Sequence, residues 1–210
     1  MSVTRLLVLG AVRIFQPTHG YFVRRELTSW QVAEWAHLNP GSVYNALRAL
    51  TKENMLLEEP SDDAGEPATS SRTRTMYRLT LDGEAEFQRL LREALWQLHQ
   101  FEPGWLLAGL SFWPALTREE VIAALSARAD LIRARIAEYG FAEAGLPGSA
   151  PGTPIHIVEH FRLHTAHLQA ELAWSEAVVK RIEDGAYGFG DEDPARHWPV
   201  GDPLRPPAPS

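Results

Sequence analysis

A short helix with a sharply marked start, over residues 39–52, narrows the folds that this chain can adopt. Asn39 suits the N-cap and Pro40 the first helical position, where a missing N–H costs nothing. Apolar residues then recur at i, i+3, i+4 and i+7, as an inward stripe requires: Val43, Ala46, Leu47 and Leu50. The opposite face carries Ser42, Tyr44, Asn45, Arg48 and Lys52. The pattern predicts a helix that is anchored on one side and offers polar groups on the other.

Two short apolar segments follow this helix and predict a β-hairpin. The second, TMYRLT at residues 75–80, alternates as a half-buried strand does, and the first is MLLEE at residues 55–59. Between them lies a stretch rich in turn formers that ends in Arg72 and Arg74. Helices are also predicted at residues 4–15 and 19–27. Three helices followed by a long-tipped hairpin indicate a winged helix-turn-helix domain, so the chain is predicted to be mostly α with a small β-hairpin wing.

The rest of the chain predicts long helices. They cover residues 81–101, then 118–139 after a capping box formed by Thr117 and Glu120, then 155–184. The sequence thus divides into a winged-helix domain at 1–80, a helical dimerisation domain at 81–184 that begins with the linking helix 81–101, and a tail at 185–210 that is rich in Pro, Gly and acidic residues and is predicted to be disordered. Long amphipathic helices commonly bury their stripe against a second copy, which favours a homodimer.

Composition sets limits on function. None of the 210 residues is cysteine, which excludes disulfides and thiolate metal sites and favours a reducing cytoplasm. The first apolar run is too short to span a bilayer and lacks a cleavage pattern, so no membrane segment is expected. The net charge of −7 is unevenly spread: residues 1–80 hold 9 Lys/Arg against 8 Asp/Glu, and residues 81–210 hold 11 against 19. This asymmetry permits a DNA-binding front half.

Three segments carry a resemblance to a known family. HGYFVRREL, NPGSVYNALRALTKENMLL and MYRLTLDGEAEF, in this order and spacing, resemble the signature of PadR-family transcriptional regulators. FWPALTREEVIAALSARADLIRARIAEY and HLQAELAWSEAVVKRI are similar to the longer subfamily with a multi-helix C-terminal domain, so the resemblance covers about residues 4–184. It implies a homodimeric repressor whose first helix and C-terminal helices build the dimer. It also implies that a small-molecule effector can release the DNA.

The chain departs from the family pattern at two places. Asn54 stands where the family usually has a glycine, and Asn still tolerates a left-handed turn. The wing tip is longer and more acidic than the family pattern, with Asp62, Asp63 and Glu66. This shifts the expected phosphate contact of the wing to Arg72 and Arg74.

The candidate DNA-binding residues lie in three places. On the outer helix face, Asn45 suits adenine and Arg48 suits guanine or the backbone, while the helix N-terminus favours a phosphate near Ser42. A solvated polar face is the alternative. Wing arginines and cations of the second helix could contact phosphates, whereas Tyr21 and Tyr77 are interpreted as packing residues. The full set is Ser42, Tyr44, Asn45, Arg48, Arg72, Arg74, Arg24 and Arg25.

Two features of the rear half leave alternatives open. Histidines recur along one helix at His156, His160, His164 and His167, a pattern that suits a metal half-site, pH-sensitive dimer packing or an ordinary interface. Four tryptophans could line a pocket for a planar aromatic effector or could anchor the core: Trp96, Trp105, Trp113 and Trp174. No cofactor is predicted.

These patterns predict a cytoplasmic, dimeric regulator that binds double-stranded operator DNA, most simply a repressor released by a small molecule. One alternative is a metal- or pH-responsive regulator that uses the histidines, and another is a winged-helix module that binds a protein partner. An enzyme is not expected, since no Ser/His/Asp or Cys/His order is recognisable.

Overall fold

The computed structural model describes residues 2–36, 38–60, 75–99, 102–145 and 155–189. The helices there are α1 (Val3–Phe15), α2 (Gly20–Ser29), α3 (Val32–Trp35), α4 (Pro40–Lys52), α5 (Leu81–Trp96), α6 (Gly104–Phe112), α7 (Arg118–Gly145) and α8 (Val158–Glu183). The strands are β1 (Thr18–His19), β2 (Leu56–Pro60) and β3 (Thr75–Leu79). The predicted fold class, mostly helical with a small wing, is confirmed.

The described residues form two compact units. The first holds the chain up to Ala94 together with His99–Phe112, and the second holds Leu95–Leu98 together with the chain from Trp113. Most of α5 and all of α6 therefore cluster with the N-terminal elements, whereas the sequence analysis placed its boundary at residue 80. Among the described helices none is long and apolar enough to cross a membrane.

Helix α1 lies at the centre of the first unit. Seven consecutive residues, from Leu6 to Val12, are buried, as its dense apolar sequence predicts. It packs against α2, α4, β3 and α6. The contact with α6 is close: a Cβ on Gly10 would overlap the ring of Phe112. The family resemblance implies that the first helix helps to form a dimer, but residues 6–12 are already covered by their own chain.

The wing is a three-stranded antiparallel sheet in the order β1-β3-β2. Strand β2 pairs with β3 in the register Leu56↔Leu79 to Pro60↔Thr75, which confirms the predicted hairpin. Strand β1 adds Thr18↔Tyr77 on the other edge of β3. The sequence analysis did not predict β1, because two residues are too few to show an alternating pattern.

The junction between the wing and α5 depends on Thr80. Its Oγ1 donates to the Asn54 carbonyl (2.7 Å) and accepts from the Gly83 N–H (2.9 Å), and its own N–H donates to the Met55 carbonyl (3.1 Å). Asn54 has a φ of 58°, the left-handed turn expected of the residue that replaces glycine. The first turn of α5 lies so near this turn that a Cβ on Gly83 would overlap the Met55 carbonyl oxygen. The motif LTLDG therefore encodes a close backbone contact.

Helices α7 and α8 pack along each other in the second unit. The predicted capping box is confirmed, since the Thr117 Oγ1 accepts from the Glu120 N–H and the Glu120 carboxylate accepts from the Thr117 N–H, both at 3.1 Å. Between the helices Arg128 is 2% exposed. Its Nε donates to Glu171 (2.6 Å) and its Nη1 donates to the Gln97 carbonyl (2.5 Å), so the buried charge is paired.

Several helix ends differ from the prediction. Helix α5 ends at Trp96 rather than 101, and the separate helix α6 was not predicted because its sequence, GWLLAGLSF, is apolar on every side and shows no helical stripe. Helix α7 continues to Gly145 rather than 139, through a run of Ala and Glu that are good helix formers. The predicted capped start at residues 153–154 lies outside the described residues.

The chain after α8 remains packed as far as residue 189. Arg118 donates to the carbonyls of Ala186 (3.4 Å) and Tyr187 (3.0 Å), and its guanidinium lies 4.9 Å from the ring centroid of Phe189. Phe189 is 0% exposed and its ring lies 6.1 Å from that of Trp113. Within the predicted disordered tail at 185–210, Gly188 and Phe189 are buried and Tyr187 is exposed, and residues 190–210 lie outside the described part.

Gly83→Ala is expected to destabilise the protein by more than about 2 kcal/mol, because the new methyl group overlaps a backbone oxygen that no side-chain rotation can remove. Thermal unfolding of the full chain measures the effect. Gly140→Ala in α7 is the matched control, since nothing lies within 4 Å of a Cβ there. The control should gain about 0.5–1 kcal/mol from higher helix propensity. Equal melting temperatures for both variants would contradict the close contact at Gly83.

Candidate nucleic-acid interface

Helix α4 presents its outer face as the sequence predicts. The Asn39 side chain accepts from the Ser42 N–H (2.9 Å), which confirms the N-cap. Val43, Leu47 and Leu50 are buried, and Tyr44, Asn45 and Arg48 are exposed on the other side; Ser42 is half-buried. Because Asn39 already uses the Ser42 N–H, a phosphate at this helix end would meet the Ser42 hydroxyl instead. This modifies the predicted role of Ser42.

The position of α2 against α4 depends on Gly20. A Cβ on Gly20 would lie 3.0 Å from Leu47 Cδ1 and 3.2 Å from Tyr44 Cε1, which is tighter than ordinary contact. The glycine of the HGY motif therefore lets the start of α2 approach α4 at Tyr44. This approach supports the Tyr44 ring from one side while 40% of the residue stays exposed.

Asn45 and Arg48 are held together on the exposed face. The Arg48 Nη2 donates to the Asn45 Oδ1 at 2.6 Å, across one turn of α4. The Asn45 amide N–H groups remain available as donors, and its oxygen keeps one further lone pair. The two predicted base-reading residues are thus already ordered relative to each other, which lowers the entropy cost of binding.

Two residues of the wing sheet, Tyr77 and Glu58, lie beside this face, and Glu58 was not among the predicted site residues. Tyr77 of β3 lies opposite Glu58 of β2. The pKa of Tyr77 is raised above its ordinary value, first by burial and then by the charge and hydrogen bonding of Glu58. The neighbouring Tyr44 raises this pKa further, and Arg48 lowers it. Tyr77 is half-buried, as its predicted packing role requires. Glu58 could have been found from LLEEP, since strand alternation places it on the same side as the core residue Leu56.

The cations of α2 are partly engaged within the chain. Arg24 lies over the ring of Tyr21 (5.2 Å), and its buried Nε has no hydrogen-bond partner among the described residues. Arg25 lies over Phe22 (4.5 Å) and forms an ion pair with Glu26 (3.0 Å). Glu26 therefore partly neutralises the charge of Arg25, whereas Arg24 forms no ion pair with the described residues. Tyr21 is 60% exposed, which differs from the packing role that the sequence analysis gave it. Arg72 and Arg74 lie outside the described residues.

The four predicted histidines differ in exposure. His156, His160 and His167 are exposed, whereas His164 is half-buried with its ring 5.9 Å from that of Tyr139. In the part of the chain that the structure describes, no group of three or more His, Cys, Asp or Glu side chains is arranged to hold a metal ion. Glu171, four residues after His167, forms an ion pair with Arg128 (2.6 Å).

The four tryptophans of the predicted effector pocket lie in different surroundings. Trp105 is buried in the first unit, donates from Nε1 to Glu102 (3.0 Å) and stacks on His99 (4.8 Å). Trp113 contacts Tyr187 (5.2 Å) in the second unit, where Trp96 and Trp174 are half-buried. A cavity of about 230 Å³ lies between α7 and α8, and none of the four tryptophans lines it.

Comparisons with known proteins agree with the resemblance. Residues 8–89 match the model of the "Transcriptional regulator PadR-like family". No curated protein matches the chain. A solved structure of Bacillus subtilis PadR in complex with operator DNA is similar, with 17% identity over 87% of this chain and 98% of that one, at a TM-score of 0.39. A structure of the same Bacillus subtilis protein in complex with p-coumaric acid is 18% identical over 86% of this chain and 99% of that one, at a TM-score of 0.36. The smu.1604c protein of Streptococcus mutans UA159 is 16% identical over 86% of this chain and 96% of that one, at a TM-score of 0.33.

Tyr77 is expected to titrate above the ordinary pKa of a tyrosine, and Glu58→Gln should bring its pKa closer to the ordinary value, because the substitution removes a neighbouring negative charge. Absorbance of the phenolate as pH rises measures this, with Tyr77→Phe identifying the contribution of Tyr77. Glu59→Gln is the control, since Glu59 pairs with Arg78 on the opposite side of β2 (3.1 Å). A Tyr77 pKa that is the same in the Glu58→Gln variant would contradict the contact.

Proposed function

We propose that this chain belongs to the Transcriptional regulator PadR-like family, whose model residues 8–89 match, and that it is a sequence-specific DNA-binding regulator, most simply a repressor. The observation that carries the proposal is the outer face of α4. It offers an aromatic ring, an amide and a guanidinium while its other face is anchored in the core. A helix of this kind enters the major groove in helix-turn-helix proteins.

Each candidate residue has a proposed task. Asn45 and Arg48 read base edges or hold a phosphate, and Tyr44 packs against the DNA beside them. The Ser42 hydroxyl and Arg24 contact the backbone, with Arg25 contributing less because Glu26 shares its charge. Arg72 and Arg74 of the wing are proposed to contact phosphates as well. Since residues 1–80 hold nearly equal numbers of acidic and basic residues, affinity would come from these few contacts and not from a broadly basic surface.

We further propose that the regulator is a homodimer that pairs through α8. Every third or fourth residue along one side of this helix is exposed or half-buried, in the 3.5-residue repeat of a helix–helix seam: His160, Leu163, His167, Ala170, Trp174 and Ala177, with His156 in the short 3-10 turn just before the helix. The small alanines would allow two helices to approach closely. A two-fold dimer would bind a palindromic operator with half-sites about one helical turn apart.

The input to the regulator is the least constrained part of the proposal. A small aromatic effector remains a prediction from the tryptophan content, and the buried Trp105, engaged by Glu102 and His99, is better suited to packing than to ligand contact. A metal- or pH-responsive dimer remains the alternative through His156, His160 and His167, which lie on the proposed seam. A regulator acts where its operator lies, so we propose a cytoplasmic location. We also propose that the chain is not an enzyme.

DNA binding is tested by fluorescence anisotropy with the duplex upstream of the chain's own gene, with a scrambled duplex and with duplexes selected from a random pool. The full chain should prefer one sequence, and its affinity should fall as salt rises. Tyr44→Ala and Arg48→Ala should each weaken operator binding about tenfold or more, since each removes a contact to the DNA.

Arg135→Ala is the control for these substitutions, because Arg135 is an exposed arginine of α7 that pairs with Glu138. It should bind DNA like the parent. Operator affinities of the Tyr44 and Arg48 variants equal to that of the parent would remove this face from the interface. A full chain without any preference for a selected sequence would favour the protein-interaction alternative.

Ala170→Glu should convert the dimer to a monomer at micromolar concentration, because it places a charge in the middle of the proposed seam. Sedimentation velocity of the full chain measures this. Gln169→Glu is the matched control, since residue 169 is exposed on the same helix but is outside the repeat. If both variants sediment like the parent, α8 does not form the proposed interface.

A further inference from the structure

Glu58 lies on the side of the wing sheet that continues from the core towards α4. Strand alternation puts Leu56, Glu58 and Pro60 on one side of β2, and Leu56 is buried. Strand β2 packs against α4. Leu57 and Glu59 lie on the opposite side and are exposed. Glu58 is therefore an exposed carboxylate that follows the buried Leu56 on the same side of β2.

Tyr77 connects this carboxylate to the recognition helix. It lies directly opposite Glu58 on β3, and burial together with the charge and hydrogen bonding of Glu58 raises the pKa of the Tyr77 hydroxyl. Tyr44 and Arg48 of α4 are near enough to influence Tyr77 electrostatically. A tyrosine phenol is protonated at neutral pH, so Tyr77 can act as a donor towards Glu58. Glu58 is thus oriented beside the residues proposed to read DNA.

The charge of Glu58 is not neutralised within the described part of the chain. Glu59 pairs with Arg78, Glu53 with Arg5 and Glu26 with Arg25, whereas no ion pair involves Glu58. Arg48, the nearest cation of α4, donates instead to Asn45. A carboxylate accepts up to four hydrogen bonds and donates none. After the donation from Tyr77, Glu58 retains acceptor sites that face outwards.

An unpaired carboxylate on a DNA-reading surface has two consequences. It repels phosphates, which lowers affinity for any duplex. It is satisfied only by a donor, and the major-groove edge of cytosine presents a lone donor, the N4 amino group, whereas thymine presents the O4 acceptor. Specificity arises when a repulsive element is relieved by the correct partner alone.

We propose, on the basis of the DNA-binding function proposed above, that Glu58 is a specificity-determining residue whose carboxylate accepts a hydrogen bond from the N4 amino group of a cytosine in each operator half-site. On other sequences the same carboxylate lies unpaired against the DNA and weakens binding. Tyr77 is the positioning residue that orients it.

The test is a parallel selection from random duplexes with the full-length parent, Glu58→Gln and Glu59→Gln. The parent and Glu59→Gln should enrich the same sequences, with a fixed C·G pair at one position of each half-site. Glu58→Gln should lose the preference at that position alone. Its affinity ratio between the selected and a scrambled duplex should fall about tenfold, the size expected for one base contact.

A paired change in the DNA gives the sharper result. Replacing the fixed C·G pair by T·A should weaken the parent about tenfold and leave Glu58→Gln unchanged. A merely structural role for Glu58 would not produce this dependence on one base pair. Equal losses in the parent and in Glu58→Gln, with an unchanged affinity ratio, would overturn the assignment of Glu58 and leave DNA binding intact. Absence of any sequence preference in the parent would overturn both proposals.

Discussion

The first unit is organised by the burial of α1 on all sides. Residues Leu6 to Val12 have no solvent-facing position, so α2, α4, β3 and α6 must each supply a face that covers them. The ends of the helix are fixed by ion pairs to α5, from Arg5 to Glu86 (2.9 Å) and from Arg13 to Glu84 (2.9 Å). Helix α4, which carries the proposed DNA-binding face, is thereby packed on a rigid support, because a buried helix such as α1 cannot shift without opening the core. Precise placement of functional side chains depends on such support.

Three glycines allow the backbone contacts that set the geometry of the interface. Gly20 brings α2 to Tyr44, Gly83 brings α5 to the turn before β2, and Gly10 accepts the ring of Phe112. In each case a side chain would occupy space already held by a neighbour. The first two lie within the motifs HGY and LTLDG, which also carry the family resemblance. These motifs therefore describe how the winged helix is assembled, and the proposed DNA-binding residues of α4 lie between them in the chain.

The second unit combines a paired buried charge with a face of α8 that is exposed among the described residues. Arg128 joins the carbonyl of Gln97 to Glu171 between α7 and α8, and removing either partner would leave a costly unpaired group. Along α8, in contrast, Leu163, Ala170 and Ala177 face away from α7. The contacts of Arg128 stabilise the packing between α7 and α8, and the exposed side of α8 is available for the proposed dimer contact.

Local sequence determined the elements whose signals lie within a few residues. The N-cap at Asn39, the inward stripe of α4, the capping box at Thr117 and the alternating strand β3 are each encoded by short-range spacing, and all are present. The outer face of α4, with Tyr44, Asn45 and Arg48, followed from the same periodicity. Only the tertiary structure decided the two-residue strand β1, the separate helix α6 and the packing of Phe189, since these depend on partners distant in the chain. The alternation in LLEEP places Glu58 on the same side of the strand as Leu56, but only the pairing of β2 with β3 decided that Tyr77 lies opposite it.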